Sequence, residues 1–452
     1  MKVKVMKFGG TSVASSEARA ECGKRVISAK EQGYRPVAVV SAIGRKGAPY
    51  ATDSLIKLLT DIDATVDPDA RELDLMIACG EILSASIFAH TLKTMGHSSM
   101  SFRGGQAGIR TDGVYGNARI KDIDPRAVLK ALNANCIPVI CGFQGTYQTP
   151  DKLPGAELTT LGRGGSDTTA AAIGAALKPY ADEVIVEIFT DVDGVKTADP
   201  DCVKNAPTLR KVTYDEVAEI AHLGAKVVHP RAAEIAMQFD IPLWVKNTFS
   251  DDVGTEIVPV ERFPGRRVTG VTHTGKLVYL QFDLTSAPEA DRAFLESTLF
   301  GLMAQNSLNL YMLILSPSGT GFAVPRAQFP IVMGILNGLV IPTGSGTLYL
   351  LQVGNEASRE VETQAALMRP LGMTRRITAE LTEGCSMVSL VGHEYMQQPG
   401  VYLDVLEALY KAQIPVLQTC DSEYSLSCLV PESEANRAVR ELHDRFDLAK
   451  TV

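Results

Sequence analysis

No stretch of this 452-residue chain holds the roughly 18 consecutive apolar residues that cross a bilayer. None of its eight cysteines falls into a zinc-site spacing. Cys136 and Cys141 are the nearest pair, followed by Cys420 and Cys428. Reduced, mostly buried thiols in a cytoplasmic protein are the expectation. An excess of positive charge is also missing: the formal net charge is −8. That gives a nucleic-acid role little support and leaves room only for a local basic pocket. No Ser-His-Asp or Cys-His arrangement stands out, so no covalent nucleophile is evident. The G-x-x-x-x-G-K-[ST] order of a P-loop is absent. The N-terminus opens on a strand rather than on the apolar region of a signal peptide. What remains is a globular protein of two or three domains, with an ordinary 45% hydrophobic and 21% charged residues.

Apolar strands alternate with helices through the first 250 residues or so. Val3–Phe8, Pro36–Ala42, Ile137–Ile140, Val184–Phe189 and Ile241–Val245 read as strands. Helices are expected from Ser15 or Ser16 to about Lys30, and over Ser54–Leu59, Ala70–Met95, Tyr214–Leu223 and Arg231–Gln238. Arg103–Asp112 is glycine-rich and reads as loop. This alternation predicts an α/β domain with a largely parallel sheet, whose ligands sit beyond the carboxyl ends of the strands. From about Arg266 a helix–strand–strand–helix pattern appears twice, each copy preceded by a strand, Lys276–Phe282 and Met387–Val391. Gln352–Glu380 fits neither copy.

Several residues carry chemistry. Lys7 ends a strand before Gly9, Gly10, Thr11 and Ser12, where a lysine and two glycine amides can cradle phosphates, or simply form a tight turn. Glu81 and Ser84 share one face of an apolar helix; the carboxylate is either solvated or a partner for an ammonium group. In L-G-R-G-G-S-D, Gly162, Gly164 and Gly165 permit positive φ, Arg163 offers a rigid fork for an anion, and Ser166 or Asp167 can cap the next helix. Asp167 beside a phosphate needs a cation, and Lys7 is the candidate. Thr190, Asp191 and Asp193 follow a strand and form either a turn or a purine and ribose site. Lys226 and Arg231 flank a helix start. Such a site is rich in phosphate donors and poor in general bases. It suits phosphoryl transfer to an acceptor that is already ionised.

Taken in order, K-F-G-G-T-S at Lys7–Ser12, V-V-S-A at Val39–Ala42, G-E-I-L-S at Gly80–Ser84 and G-R-G-G-S-D at Gly162–Asp167 resemble the aspartate kinases of the amino acid kinase superfamily. So do F-T-D-V-D-G-V at Phe189–Val195, T-A-D-P at Thr197–Pro200 and G-A-K-V-V-H-P-R at Gly224–Arg231. The Gly44–Leu55 loop is similar to that of the monofunctional enzymes of spore-forming Gram-positive bacteria. The resemblance implies a kinase domain over residues 1–262. It implies two ACT-like βαββαβ, ferredoxin-like regulatory modules over 263–380 and 381–452, which can interlock. It implies transfer of the γ-phosphate of ATP, brought with Mg²⁺, to the β-carboxylate of L-aspartate. Lys7 and Asp167 would be catalytic. Thr11, Ser41, Glu81, Arg163 and Ser166 would bind aspartate. Lys7, Gly9, Gly10, Ser12, Thr190, Asp191, Asp193, Lys196 and Lys226 would bind ATP, with no dedicated metal ligand. An amino-acid effector at the ACT modules and a homodimer or higher oligomer are also implied. Lys196, Asp201 and Tyr311 depart from the family's usual Tyr, Arg and Asp and bear on ATP binding and feedback, as does extra sequence around Ile341–Gln364. The competing readings are an amino-acid sensor with a decayed kinase half and a kinase for another amino-acid carboxylate.

Overall fold

The computed structural model describes residues 1–63, 65–148, 156–162, 164–225, 227–260, 266–372, 374–393 and 399–450. The chain divides into two compact units. Met1–Thr197 and Ala206–Thr269, with Ala449, form the first; Ala198–Asn205 and Gly270–Leu448 form the second.

Unit one contains β1 (Lys2–Phe8), α1 (Ser16–Glu31), β2 (Tyr34–Val40), α2 (Thr52–Thr60), α3 (Ala70–Thr94), β3 (Ser99–Phe102), β4 (Ile109–Thr111) and β5 (Ile120–Ile123). Next come α4 (Arg126–Asn133), β6 (Ile137–Cys141), β7 (Gln144–Gln148), β8 (Ala156–Thr160), α5 (Gly165–Leu177) and β9 (Glu183–Thr190). It closes with β10 (Lys211–Thr213), α6 (Tyr214–His222), α7 (Pro230–Gln238), β11 (Leu243–Asn247) and β12 (Thr255–Val258). The main sheet has the order β10-β12-β11-β9-β1-β2-β6-β3. From β11 to β3 every pairing is parallel, and only β12 and β10 run the other way. Ser15 caps α1 by accepting from the Ala18 amide. Met6 and Phe8 meet Val26, Phe88 and Leu92 in one core, where Phe8 stacks on Phe189 at 5.1 Å. On the other face α5 is almost wholly small and buried. A Cβ on Gly174 would fall 2.7 Å from the Val186 side chain, so glycine there sets how closely α5 approaches the sheet.

Two expectations change. Ile109–Thr111 is a strand rather than loop, one of a four-stranded side sheet ordered β5-β4-β7-β8. Neither Ser166 nor Asp167 caps α5. Gly164 does, at φ 69°, and Asp167 lies in the first turn. Among the described residues, α3 is one helix long and apolar enough to cross a membrane. It carries Asp74 and Glu81 inward, both buried, and Asp74 accepts from the Gly116 and Thr160 amides.

Unit two contains β13 (Gly270–Asp283), α8 (Glu289–Gln305), β14 (Tyr311–Ser316), β15 (Gly319–Pro325), α9 (Phe329–Leu336), β16 (Val340–Pro342) and β17 (Leu348–Val353). It continues with α10 (Arg359–Met368), β18 (Thr374–Val391), α11 (Val401–Lys411), β19 (Gln418–Asp421), β20 (Ser425–Pro431) and α12 (Ala435–Arg445). Two βαββαβ modules emerge, and they share strands. The later half of β13 pairs with β15 and with the early half of β18. The early half of β13 pairs with the later half of β18, which continues to β20 and β19. Register shifts between Thr274 and Tyr279 separate the halves. The extra sequence forms β16, β17 and α10, with β17 added in parallel to β18. Buried Asp291 in the first turn of α8 anchors it, accepting from Ser345 Oγ (2.8 Å) and from the phenol of fully buried Tyr349 (2.9 Å).

Candidate functional site

The parallel strands end together on one edge of unit one, with β1 between β2 and β9. Phe8 pairs with Val40 on one side and Phe189 on the other, so Gly9, Ser41 and Thr190 emerge side by side. The Gly9 amide donates to Phe189 O at 3.3 Å, and the Ser41 amide donates to Phe8 O at 3.1 Å. Thr11 follows in the same turn, its carbonyl accepting from the Ala14 amide. Gly10 packs under the loop after β2. A Cβ there would lie 2.4 Å from Gly44 O and 2.9 Å from Ala42 O. Backbone cannot give way as a side-chain tip does. Gly10→Ala is therefore expected to cost about 1–3 kcal/mol of stability by overpacking and to displace the turn. Thermal unfolding checks the cost.

Lys7 points toward α5, where its Nζ lies 2.7 Å from Asp167 Oδ1; the two side chains are only 13% and 11% exposed. The other Asp167 oxygen accepts from the His229 amide at 3.2 Å. The carboxylate expected to need a cation has one, and the cation is Lys7. Ser166 lies beside it against the loop after β6: a Cβ on Gly142 would fall 2.6 Å from Ser166 Oγ. His229 packs its ring on Gly164, where a Cβ would come within 2.1 Å. Burial lowers its pKa, so it sits as a neutral packing group.

Glu81 reaches the same edge from α3. It is 3% exposed, and one oxygen accepts from the Ala42 amide at 2.9 Å. Its second oxygen and the buried Ser84 hydroxyl have no hydrogen-bond partner among the described residues. Burial pushes the Glu81 carboxyl up to about 8, against the opposing effect of the Ala42 amide. The solvated alternative for Glu81 is therefore gone.

On the β9 side, Thr190 Oγ1 donates to Asp191 Oδ1 at 3.2 Å. Asp193 accepts from Asn247 Nδ2 (2.8 Å) and Ser250 Oγ (2.9 Å), which pins the turn to the segment after β11. Ser12 is fully buried, its hydroxyl 2.7 Å from that of Thr248 in the same segment. The Lys196 ammonium donates to Ala206 O and Thr208 Oγ1, both at 3.3 Å. Arg231 donates to Leu161 O and Asn117 Oδ1, so its fork braces the glycine turn. Asp201 and Tyr311 belong to unit two. Arg163 and Lys226 lie outside the described residues. Sequence reading passed over Asn247 and Thr248, whose only signal is their place just after a parallel strand. It also passed over Arg45, a cation in a polar loop that donates to Asp191 Oδ2 at 2.5 Å.

The amino acid kinase family model matches residues 2–247, and an ACT domain model matches residues 388–446. Aspartokinase 1 of Bacillus subtilis (strain 168) is 35% identical over 100% of both chains. The chain belongs to the aspartokinases of the amino acid kinase family. Aspartokinase 2 of the same organism is 34% identical, over 99% of this chain and 98% of its own. Among solved aspartokinases, the fold is similar to that of E. coli aspartokinase III in complex with aspartate and ADP. That likeness has a TM-score of 0.71 at 24% identity and covers 98% of this chain and 99% of that one. A second E. coli aspartokinase III structure, in complex with lysine and aspartate, gives 0.66 at 23% identity, over 99% and 100% of the two chains.

Proposed function

We propose that this chain transfers the γ-phosphoryl group of ATP to the β-carboxylate of L-aspartate, giving 4-phospho-L-aspartate and ADP. Full-length identity to aspartokinases supports the reaction. The Lys7–Asp167 pair, held at the central strand end beside Gly9 and Gly10, carries the assignment of the site. The acceptor carboxylate is ionised at neutral pH and needs no base. Catalysis then rests on holding the reactants in line and neutralising charge.

In this reading Lys7 faces the transferring phosphoryl group, and Asp167 fixes its ammonium. The turn at Gly9 and Gly10 lines the phosphates with the Gly10 amide as its donor, because the Gly9 amide, expected to share that role, is given to Phe189 O. Ser41, Thr11 and Ser166 contact aspartate. Arg163 clamps its α-carboxylate. Glu81 pairs with its ammonium or orders Arg163. Thr190 and Asp191 face the nucleoside, with Asp193, Ser12 and Lys196 holding the surrounding loops and Lys226 near the nucleotide. ATP enters as its Mg²⁺ complex. Among the described residues no group of three or more His, Cys, Asp or Glu could hold a metal. Eight free thiols suit a reducing cytoplasm.

The ACT modules supply a place for an amino-acid effector and for self-association. Leu403, Tyr410 and Leu417 stand exposed on the second module, which supports a homodimer. The decisive assay incubates the protein with ATP, Mg²⁺ and L-aspartate and traps the acyl phosphate with hydroxylamine. Hydroxamate formation is expected, and glutamate should give far less. No hydroxamate, with or without lysine, threonine or diaminopimelate, would point instead to a sensor with a decayed kinase half.

A further inference from the structure

Arg45 is a further cation at this edge. It follows Gly44 in the loop after β2. The Gly44 amide donates to Gly10 O at 2.9 Å, and Gly44 O lies where a Gly10 Cβ would be. The loop therefore rides directly on the phosphate turn. From there the Arg45 side chain reaches Asp191, just past the end of β9. Strands β2 and β9 flank β1, so they stand roughly 9.5 Å apart, two strand spacings. The Arg45–Asp191 pair therefore links the β2 side of the glycine turn to its β9 side.

Asp191 occupies one end of a planar fork that carries five N–H donors. The side chain is 70% exposed, and among the described residues Nε and Nη1 have no partner. An exposed pair of this kind adds little stability. Its geometric effect is larger: it holds a cation, with donors to spare, between the loop on Gly10 and the end of β9. We propose that Arg45 is a further phosphate-binding residue for the nucleotide, positioned by Asp191. This role rests on the kinase reading. It supplies a second cation from the loop side and spreads charge over a group that reacts through its equatorial oxygens.

Calorimetric titration of the full chain with Mg-ATP and with adenosine tests it, beside the hydroxamate assay. Losing a charge-assisted contact should weaken ATP binding by Arg45→Ala about tenfold or more. Adenosine affinity should stay within about twofold, because adenosine has no phosphate for the fork to grip. Arg45→Lys should fall between, since it keeps the charge and loses the fork. ATP affinity should also depend less steeply on KCl in Arg45→Ala than in the natural chain. Unchanged ATP affinity, or an equal loss for ATP and adenosine, overturns the assignment, the second marking Arg45 as a loop brace. An inactive natural chain would sink the kinase reading itself; an active one with an indifferent Arg45→Ala sinks only the arginine.

Discussion

Lys7→Ala is expected to lower kcat for hydroxamate formation by about a thousandfold, with a much smaller change in the KM for aspartate. The magnitude follows from removing one preorganised donor aimed at developing charge, which costs roughly 10²–10³ in rate. Lys7 is held more firmly than a surface lysine, because its stem leaves the central strand and its ammonium is fixed 2.7 Å from Asp167. The substitution has a second effect. It strands the Asp167 carboxylate, 8% exposed, with the His229 amide as its remaining donor among the described residues. Breaking a buried pair from one side costs about 3 kcal/mol, so the variant should also melt earlier. A second variant separates the two effects. Lys7→Met combined with Asp167→Asn removes both charges and should regain most of the lost stability, while the rate stays low. Recovery of rate together with stability would mean that the pair only holds the fold.

Glu81→Gln carries the next largest effect, a rise in the KM for aspartate of about tenfold to a hundredfold, the loss of one charged hydrogen bond. The pH dependence is more telling. Burial sets the folded Glu81 carboxyl at about 8, above its ordinary 4.5. The folded chain therefore binds this proton more tightly than the unfolded chain. The stability it contributes is complete below pH 4.5 and is lost as pH rises through about 8. Glu81→Gln should remove that slope and be the more stable protein at pH 8 and above. An ammonium group can pair only with the ionised form, so binding aspartate near pH 7 should release a proton. Calorimetry in two buffers of different ionisation enthalpy measures that release. Its absence, or a KM that ignores pH between 6 and 8.5, would falsify an ionised Glu81 in the complex.

Elements with long apolar periods and local caps were legible in the sequence: β1, β2, β6 and β9, α1 with its Ser15 cap, and the long α3. The side sheet was not. Ile109–Thr111 is three residues among glycines, too short to display a period, and its partners lie elsewhere in the chain. The α5 start was misread for a related reason. Serine and aspartate are good caps locally, but Asp167 is claimed by Lys7 and by the His229 amide, partners 160 and 62 residues away. Lys4 shows the same limit: it is buried against Glu187 on a neighbouring strand, with Lys246 on Glu187 as well. The candidate site was readable as residue types in order. Which groups meet was not, because each comes from a different strand end. Arg45 had no signal beyond its charge until β9 placed Asp191 across the turn.

The strands shared by the two ACT modules set an order of events during synthesis. Gly270 pairs with Val391, and Thr274 with Met387. The early half of β13 therefore leaves the ribosome more than a hundred residues before its partner exists. Until β18 is complete, that strand is an open edge bearing Val271 and Thr272, the kind of edge that invites the wrong partner. At a synthesis rate of 5–20 residues per second, the wait lasts roughly ten seconds, far longer than a hairpin needs to form. The second module cannot finish first, and the first cannot close without the strand that begins the second. Neither module is a free-standing folding unit, and a nascent chain stopped near residue 380 holds an incomplete sheet rather than one finished domain.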